Sequence, residues 1–448
     1  MLSKDKQPIL NILHLNTYDI SGGAARAVNR LHRGLLCLGF DSSMFVARKD
    51  TDDPTIKVFK PPDPIPMDFP GRLRRYLDRH LSLFRRCLGL KPAPISPLDF
   101  EYYQTSRPSG YELFSDGRSQ FKNTLLSQLP HCDMINLHWI ANFIDYQTFF
   151  PYLTQKCSIV WTLHDMNAFT GGCHYDHGCG KYNSGCGACP QLGSLNEKDL
   201  SNWIWQRKRE IFWKIEPKQM HIVAPSRWLG RECKRSPLLG RFPVTVIPNG
   251  LDINDFSPRD RCFARDVLGI PQGSKTLLFA ADSVNNRRKG FAFLAQALSG
   301  LADLANLFLI TIGSGKPVLD TQIPQMNLGQ IHNDRLLSLI YSAADIYVIP
   351  SVQDNLPNTV MESMACGTPV IGFDIGGIPD MVQPGVTGLL IPPKDVPSMS
   401  DAIRRLLMDE DSRFKISDNC RRITLKEYDL NIQAKRYIAL YQNVLECI

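Results

Sequence analysis

The chain has no stretch of apolar residues long enough to cross a bilayer. Its opening residues, MLSKDKQPILNILHL, lack the apolar core and cleavage pattern of a secretory signal. Both absences point to a cytoplasmic protein. There is no low-complexity tract and no internal repeat beyond two similar halves. Neither charge sign dominates: 51 Lys and Arg stand against 44 Asp and Glu, a formal net charge of +7. That excess suits an anionic substrate or an anionic membrane face; with no nucleic-acid-binding motif, it makes no case for nucleic acid as a partner. Cysteine is not scarce, but the 13 are odd in number and mostly scattered. In a reducing compartment that excludes a disulfide framework, and scattered thiols read as small buried apolar groups.

What is present is an alternation of apolar strands and amphipathic helices over 448 residues, 43% of them apolar. This is ample for two domains and a large core. Residues 11–16 form a short apolar strand. A loop containing Gly22 and Gly23 follows, then a helical apolar pattern over 25–38. Strand, glycine loop and helix make the first unit of a doubly wound α/β sheet. Further strands are expected at 44–47, 134–137, 158–163, 221–224 and 244–247. Pro248-Asn249-Gly250 punctuates the chain. The second half restarts with a strand at 275–280, a helix at 291–299 and a strand at 307–312. Residues 340–349 and 369–373 continue the series. Residues 432–445 have apolar side chains at helical spacing.

The most informative text is Ser351-Val-Gln-Asp-Asn-Leu-Pro-Asn-Thr-Val-Met-Glu-Ser-Met-Ala-Cys-Gly-Thr-Pro369. A buried strand arrives at this loop. Pro357 suits a helix start, and Gly367 with Pro369 marks the end. Asp354 then stays in the loop while Glu362 sits within the first two turns. A helix N-terminus offers free N–H groups to an anion, and two carboxylates beside it can hold the hydroxyls of a polyol. Phosphate plus hydroxyls is the outline of a nucleotide-sugar.

This segment resembles the acid-x7-Glu signature of retaining glycosyltransferases of family 4, also called group 1, which have the GT-B fold. VAPSRWL at 223–229, VIPNGLDINDFSP at 246–258 and GVTGLLIPP at 385–393 agree with it. The first acid is usually Glu in that family; here it is Asp354. The resemblance implies two Rossmann-like domains facing a cleft: an acceptor domain over 1–248, a nucleotide-sugar domain over 249–428, and a terminal helix over 429–448 crossing back to the first. It implies that Glu362 bonds the ribose, that Asp354 bonds the transferred sugar, and that backbone N–H groups near Asn355 and Leu356 meet the phosphates. His164, at the end of a predicted strand, matches a histidine near the donor sugar. Lys289 and Arg288 match a basic pattern that would balance the departing diphosphate; the family's usual arginine, five residues before the lysine, is here Val284. Gly22, Gly23 and Gly313 would lie near donor phosphates or base. His138-Trp139 is a weaker candidate for the acceptor side.

The activity implied is retaining transfer of a sugar from a nucleotide-diphosphate donor to a glycan or lipid-linked acceptor, with no catalytic cofactor. No Asp-x-Asp triplet offers an obvious metal–diphosphate bridge. Rival readings are an epimerase or phosphorylase on the same fold, or a catalytically silent sugar-binding subunit.

Two segments stand outside this pattern. Residues 171–190 place Cys173, Cys179, Cys186 and Cys189 in C-x5-C-x6-C-x2-C spacing, with His174 and His177 interleaved. Four thiolates suit a structural zinc, with an iron–sulfur cluster a more distant alternative. Residues 71–91 carry leucines on one helical face among seven cations, a pattern fit either for an anionic membrane surface or for packing on the first domain.

Overall fold

The computed structural model describes residues 10–62, 100–316 and 318–446. The basic stretch at 71–91 lies outside them. The described residues form two wholly parallel sheets. The first contains β1 (Asn11–Tyr18), β2 (Asp41–Arg48), β3 (Ile56–Val58), β4 (Met134–Leu137), β5 (Ser158–Thr162), β6 (Met220–Ala224) and β7 (Val244–Val246), in the order β3-β2-β1-β4-β5-β6-β7. The second contains β8 (Lys275–Ser283), β9 (Leu307–Ser314), β10 (Gln325–Asn327), β11 (Ile346–Ile349), β12 (Val370–Phe373) and β13 (Gly388–Ile391), in the order β10-β9-β8-β11-β12-β13. In each sheet the order reverses beside its first strand. Such a switch point opens a crevice at the strand C-termini, where ligands bind in doubly wound folds.

Central strands are buried on both faces, so they read as continuous apolar runs rather than alternations. β4 and β11 have no exposed residue. The short edge strands β3 and β10 are half exposed, with too few apolar residues to stand out in the sequence. The expected strand over 340–349 is corrected: the helix Asp334–Ala343 occupies its first part and only Ile346–Ile349 is strand. Leu337, Ile340 and Tyr341 are buried on that helix at its own spacing, which merges with the strand's apolar run.

The last helix, Leu430–Glu446, packs on the first sheet although the chain reaches it from the second. Ala434, Tyr437 and Tyr441 join Ile12, Leu31 and Val160 in one apolar cluster. The Tyr437 hydroxyl lies 2.9 Å from Thr162 Oγ1, and Asn136 Nδ2 donates to the Tyr441 hydroxyl at 2.7 Å. Where the chain crosses between sheets, Leu251 N donates to Tyr428 O and Leu430 N to Leu251 O, a two-bond seam between the outgoing and returning segments. Among the described residues, no helix is long and apolar enough to cross a membrane.

Tyr441→Phe leaves the buried Asn136 amide without its acceptor. It is expected to lower stability by roughly 1–3 kcal/mol, measured as a shift of the urea midpoint with unchanged slope.

Candidate functional site

Two loops of the second sheet converge at its switch point. After β8, Arg287–Lys289 form a single tight turn capped by the Asn286 side chain, which accepts from Arg288 N at 3.0 Å. Gly290 closes the turn at φ 73°, and a Cβ there would stand 1.9 Å from Pro350 O. The glycine thus lets the basic turn press against the loop that follows β11.

Asp354 stands in that second loop, buried. It accepts from Lys289 Nζ at 2.7 Å and from Ser351 Oγ at 3.2 Å, with Arg288 Nη1 3.3 Å away. Arg288 is also buried. Its Nη1 donates to Gln353 O at 2.7 Å, and its guanidinium lies 4.0 Å from the centre of the Tyr175 ring. Its Nε donates to Glu112, a residue of the first half. Burial works against ionisation of Asp354, yet Lys289 and Arg288 hold its carboxyl below the ordinary range. Glu112 is likewise penalised by burial, and the His177 hydrogen bond and the Arg288 charge nevertheless hold it well down. Both carboxylates are therefore held ionised beside Arg288 and Lys289.

The helix Asn358–Ala365 follows, with Pro357 just before its first residue. Glu362 is buried within it and accepts from Arg30 Nη2 at 2.9 Å and from the Tyr341 hydroxyl at 3.2 Å. Arg30 comes from the helix Gly23–Cys37 of the first half; its Nη1 is buried without a hydrogen-bond partner. Gly22 caps that helix at φ 91°, with open space where a side chain would stand, and Gly23 O accepts from Asn358 Nδ2 at 3.0 Å. The two glycines and the Asn358 end of the helix thus meet across the cleft.

Asn355 ties the halves together: Ser226 Oγ donates to its Oδ1 at 2.6 Å, and its Nδ2 donates to His164 O at 3.1 Å. Leu356 beside it is buried in the second core. Asp354, Asn355, Lys289, Arg288 and His164 are thereby brought into one place. Gly313 is not part of that cluster by any contact. It sits near the end of β9 at φ 140°, where a Cβ would meet Ala281 O at 2.5 Å, so its smallness serves sheet packing. Val284 is buried in the second core. The Asp-x-Asp triplets at 50–52 and 409–411 stand on other elements, after β2 and at the start of the helix Glu410–Glu427.

The sequence reading missed Glu112, Tyr175 and Arg30. Glu112 lies in a loop without periodicity, and Arg30 looks like one more cation on an amphipathic helix. The segment holding Tyr175 was singled out for its cysteines, yet its strongest contacts face the basic turn. Gln353 Nε2 donates to Asp176 Oδ1 at 2.7 Å, and His177 N donates to Gln353 Oε1 at 3.0 Å. This segment covers the loops after β8 and β11 from the first half.

Cys173, Cys179, Cys186 and Cys189 do line one small cavity, together with Phe114 and Lys181. Among the described residues, no three His, Cys, Asp or Glu side chains are disposed to hold a metal ion. Cys173 and Cys189 instead pack with Phe114, Leu192, Leu200 and Ile204. Burial pushes the Cys186 thiol up to about 12 and Cys189 up to about 11, as for neutral apolar groups. His174 takes a different partner: its Nδ1 lies 2.6 Å from Asp165 Oδ2.

His138 and His164, just past the ends of β4 and β5, form a row of histidines with His14 in the middle of β1. His14 Nδ1 lies 3.0 Å from His138 Nε2, and His138 Nδ1 lies 3.1 Å from His164 Nε2. Burial pushes His164 down to about 4 despite the opposing charge of Asp165, and it pushes His14 and His138 well below the ordinary range. His32, near His14, is pushed down to about 4 by the same cause.

Residues 274–409 match the family model described as glycosyl transferases group 1. An uncharacterized glycosyltransferase of Methanocaldococcus jannaschii is 29% identical over 217 residues, covering 45% of this chain and 55% of that protein. A putative teichuronic acid biosynthesis glycosyltransferase of Bacillus subtilis is 28% identical over 225 residues, 50% of this chain and 56% of that one. The chain spans about half the length of these curated relatives. Among solved structures, sucrose-phosphate synthase from Thermosynechococcus elongatus superposes with a TM-score of 0.64 at 19% identity, covering 98% of this chain and 100% of that one. Anabaena HepE in complex with UDP-glucose gives 0.59 at 15% identity, covering 97% and 100%. The fold is GT-B, and the chain resembles the group 1 glycosyltransferases.

The buried histidines carry a stability prediction. An unfolded chain takes up protons near 6.5, whereas in the folded chain His164 and His32 do so only near 4 and His14 and His138 only well below the ordinary range. Their contribution is complete above about pH 6.5 and is lost as pH falls through the folded values. The thermal midpoint is expected to drop between pH 7.5 and 5.0. Equal midpoints at the two pH values would contradict neutral burial of the row.

Proposed function

We propose that this chain, a GT-B protein similar to group 1 glycosyltransferases, is a retaining transferase that moves a sugar from a nucleotide-diphosphate donor to a glycan acceptor without a catalytic metal. One observation carries the reading. Arg288 and Lys289 are pressed by Gly290 onto the loop of Asp354, at the switch point of the second sheet and within one hydrogen bond of the backbone of His164. Fixed cations at that point stabilise a leaving diphosphate with no reorganisation at the moment of reaction. Asp354, held ionised, is an acceptor for sugar hydroxyls, as is Glu362 for ribose.

In this reading the acceptor hydroxyl attacks from the face the diphosphate leaves, and a leaving-phosphate oxygen takes its proton. The protein positions groups rather than supplying a nucleophile. Donor entry requires an exchange of partners, because Lys289 and Arg288 are satisfied by Asp354 and Glu112, and Glu362 by Arg30. The name of the Bacillus subtilis relative, and that of WaaG, a structural neighbour involved in lipopolysaccharide biosynthesis, favour a cell-envelope glycan as acceptor.

A panel of UDP-, GDP- and ADP-sugars tests the donor class. The right donor at a hundredfold excess over its Kd should add about 2.7 kcal/mol of apparent stability; no shift with any of them overturns the reading. With that donor, Lys289→Ala is expected to lower kcat by about 10²–10³-fold, while chelator leaves the wild-type rate unchanged. NMR of the product should show the donor's anomeric configuration retained.

A further inference from the structure

The histidine row contains an asymmetry that decides where its protons sit. Three rings in series, His14, His138 and His164, are linked by two nitrogen–nitrogen contacts of 3.0 and 3.1 Å. Burial keeps all three neutral, so each ring has one N–H and one bare nitrogen. Only two proton orders then satisfy both contacts. In one, every N–H points from His14 toward His164; in the other, every N–H points back.

The ends differ. His14 Nε2 is buried and has no hydrogen-bond partner. In the backward order it would carry an orphaned N–H, the rarest kind of unsatisfied buried group. In the forward order it carries only an unused lone pair. At the other end, His164 is partly exposed, and among the described residues no group takes up its Nδ1. The forward order places a proton on that nitrogen, next in sequence to ionised Asp165, whose charge favours the positive end of the chain of N–H dipoles. Asp165 is itself fixed by the Trp139 indole at 2.9 Å, Asn167 N at 2.8 Å and His174.

We infer that the unpartnered buried end of the row fixes its proton order: His14 Nδ1–H donates to His138 Nε2, His138 Nδ1–H donates to His164 Nε2, and His164 is thereby held as the Nδ1–H tautomer, a hydrogen-bond donor with no free lone pair. The consequence for chemistry is sharp. His164 can present a proton to an oxygen of the bound sugar or its phosphates, but it cannot take a proton from an attacking hydroxyl. This last step rests on the transferase reading; the tautomer does not.

The experiment is 15N NMR of the full-length protein labelled at histidine, with no sugar present, the His164 signal being assigned by its loss in His164→Gln. The expected spectrum has a pyrrole-type Nδ1 and a pyridine-type Nε2 for His164, in essentially all molecules. The reverse pattern overturns the inference. His14→Phe ends the row at His138, whose Nε2 then faces an apolar ring; the backward order would again leave an orphaned buried N–H, so the His164 pattern is expected to persist. A tautomer mixture or an inverted His164 pattern in that variant would also overturn the inference. If that variant does not fold, the wild-type spectrum decides alone. Because no donor or acceptor is present, the result stands whether or not sugar transfer is later observed.

Discussion

The cleft is organised around one electrostatic constraint: two carboxylates and two basic side chains share a largely buried space between the sheets. Isolated, any of them would be costly there, since removing a charge from water is repaid only by close partners. Asp354 is repaid by Lys289 and Arg288, and Arg288 in turn by Glu112. Glu112 comes from the first half, so the charge balance of the second half's basic turn is completed across the cleft. Arg30 and Glu362 repeat the arrangement a helix away, again with one partner from each half. The two lobes are held in this closed relation by the same groups that would receive an anionic ligand.

Much of this was legible in the sequence, and for identifiable reasons. The central strands are buried on both faces, which forces continuous apolar runs. The loop-to-helix text around Asp354 and Glu362 combines a proline start, a glycine stop and two acids. The terminal helix could be placed as helix by spacing, although where it docks came from family resemblance and not from its own pattern. The edge strands β3 and β10 escaped because three residues, two of them exposed in each, leave no pattern. The segment 340–349 misled because the buried side of a helix ends only three residues before a buried strand begins.

The site residues that escaped share a different cause. Glu112, Arg30 and Tyr175 act through partners distant in the sequence, and no local spacing announces such pairs. The cysteine motif is a different case. Its spacing suggests metal; in the structure two of its thiols lie in an apolar cluster, and the segment's contacts to the basic turn and to Gln353 come from Tyr175, Asp176 and His177, between the cysteines.

The returning terminal helix has a consequence for how the molecule is made. Ile12, Leu31 and Val160 are translated before the second lobe, yet the tyrosines that cover them, Tyr437 and Tyr441, follow it in the sequence. On the ribosome the first lobe waits with an uncovered oily face until those tyrosines emerge, a window in which chaperones or aggregation compete for it. Lobe order in assembly is thus the reverse of lobe order in the gene: the second lobe can finish first.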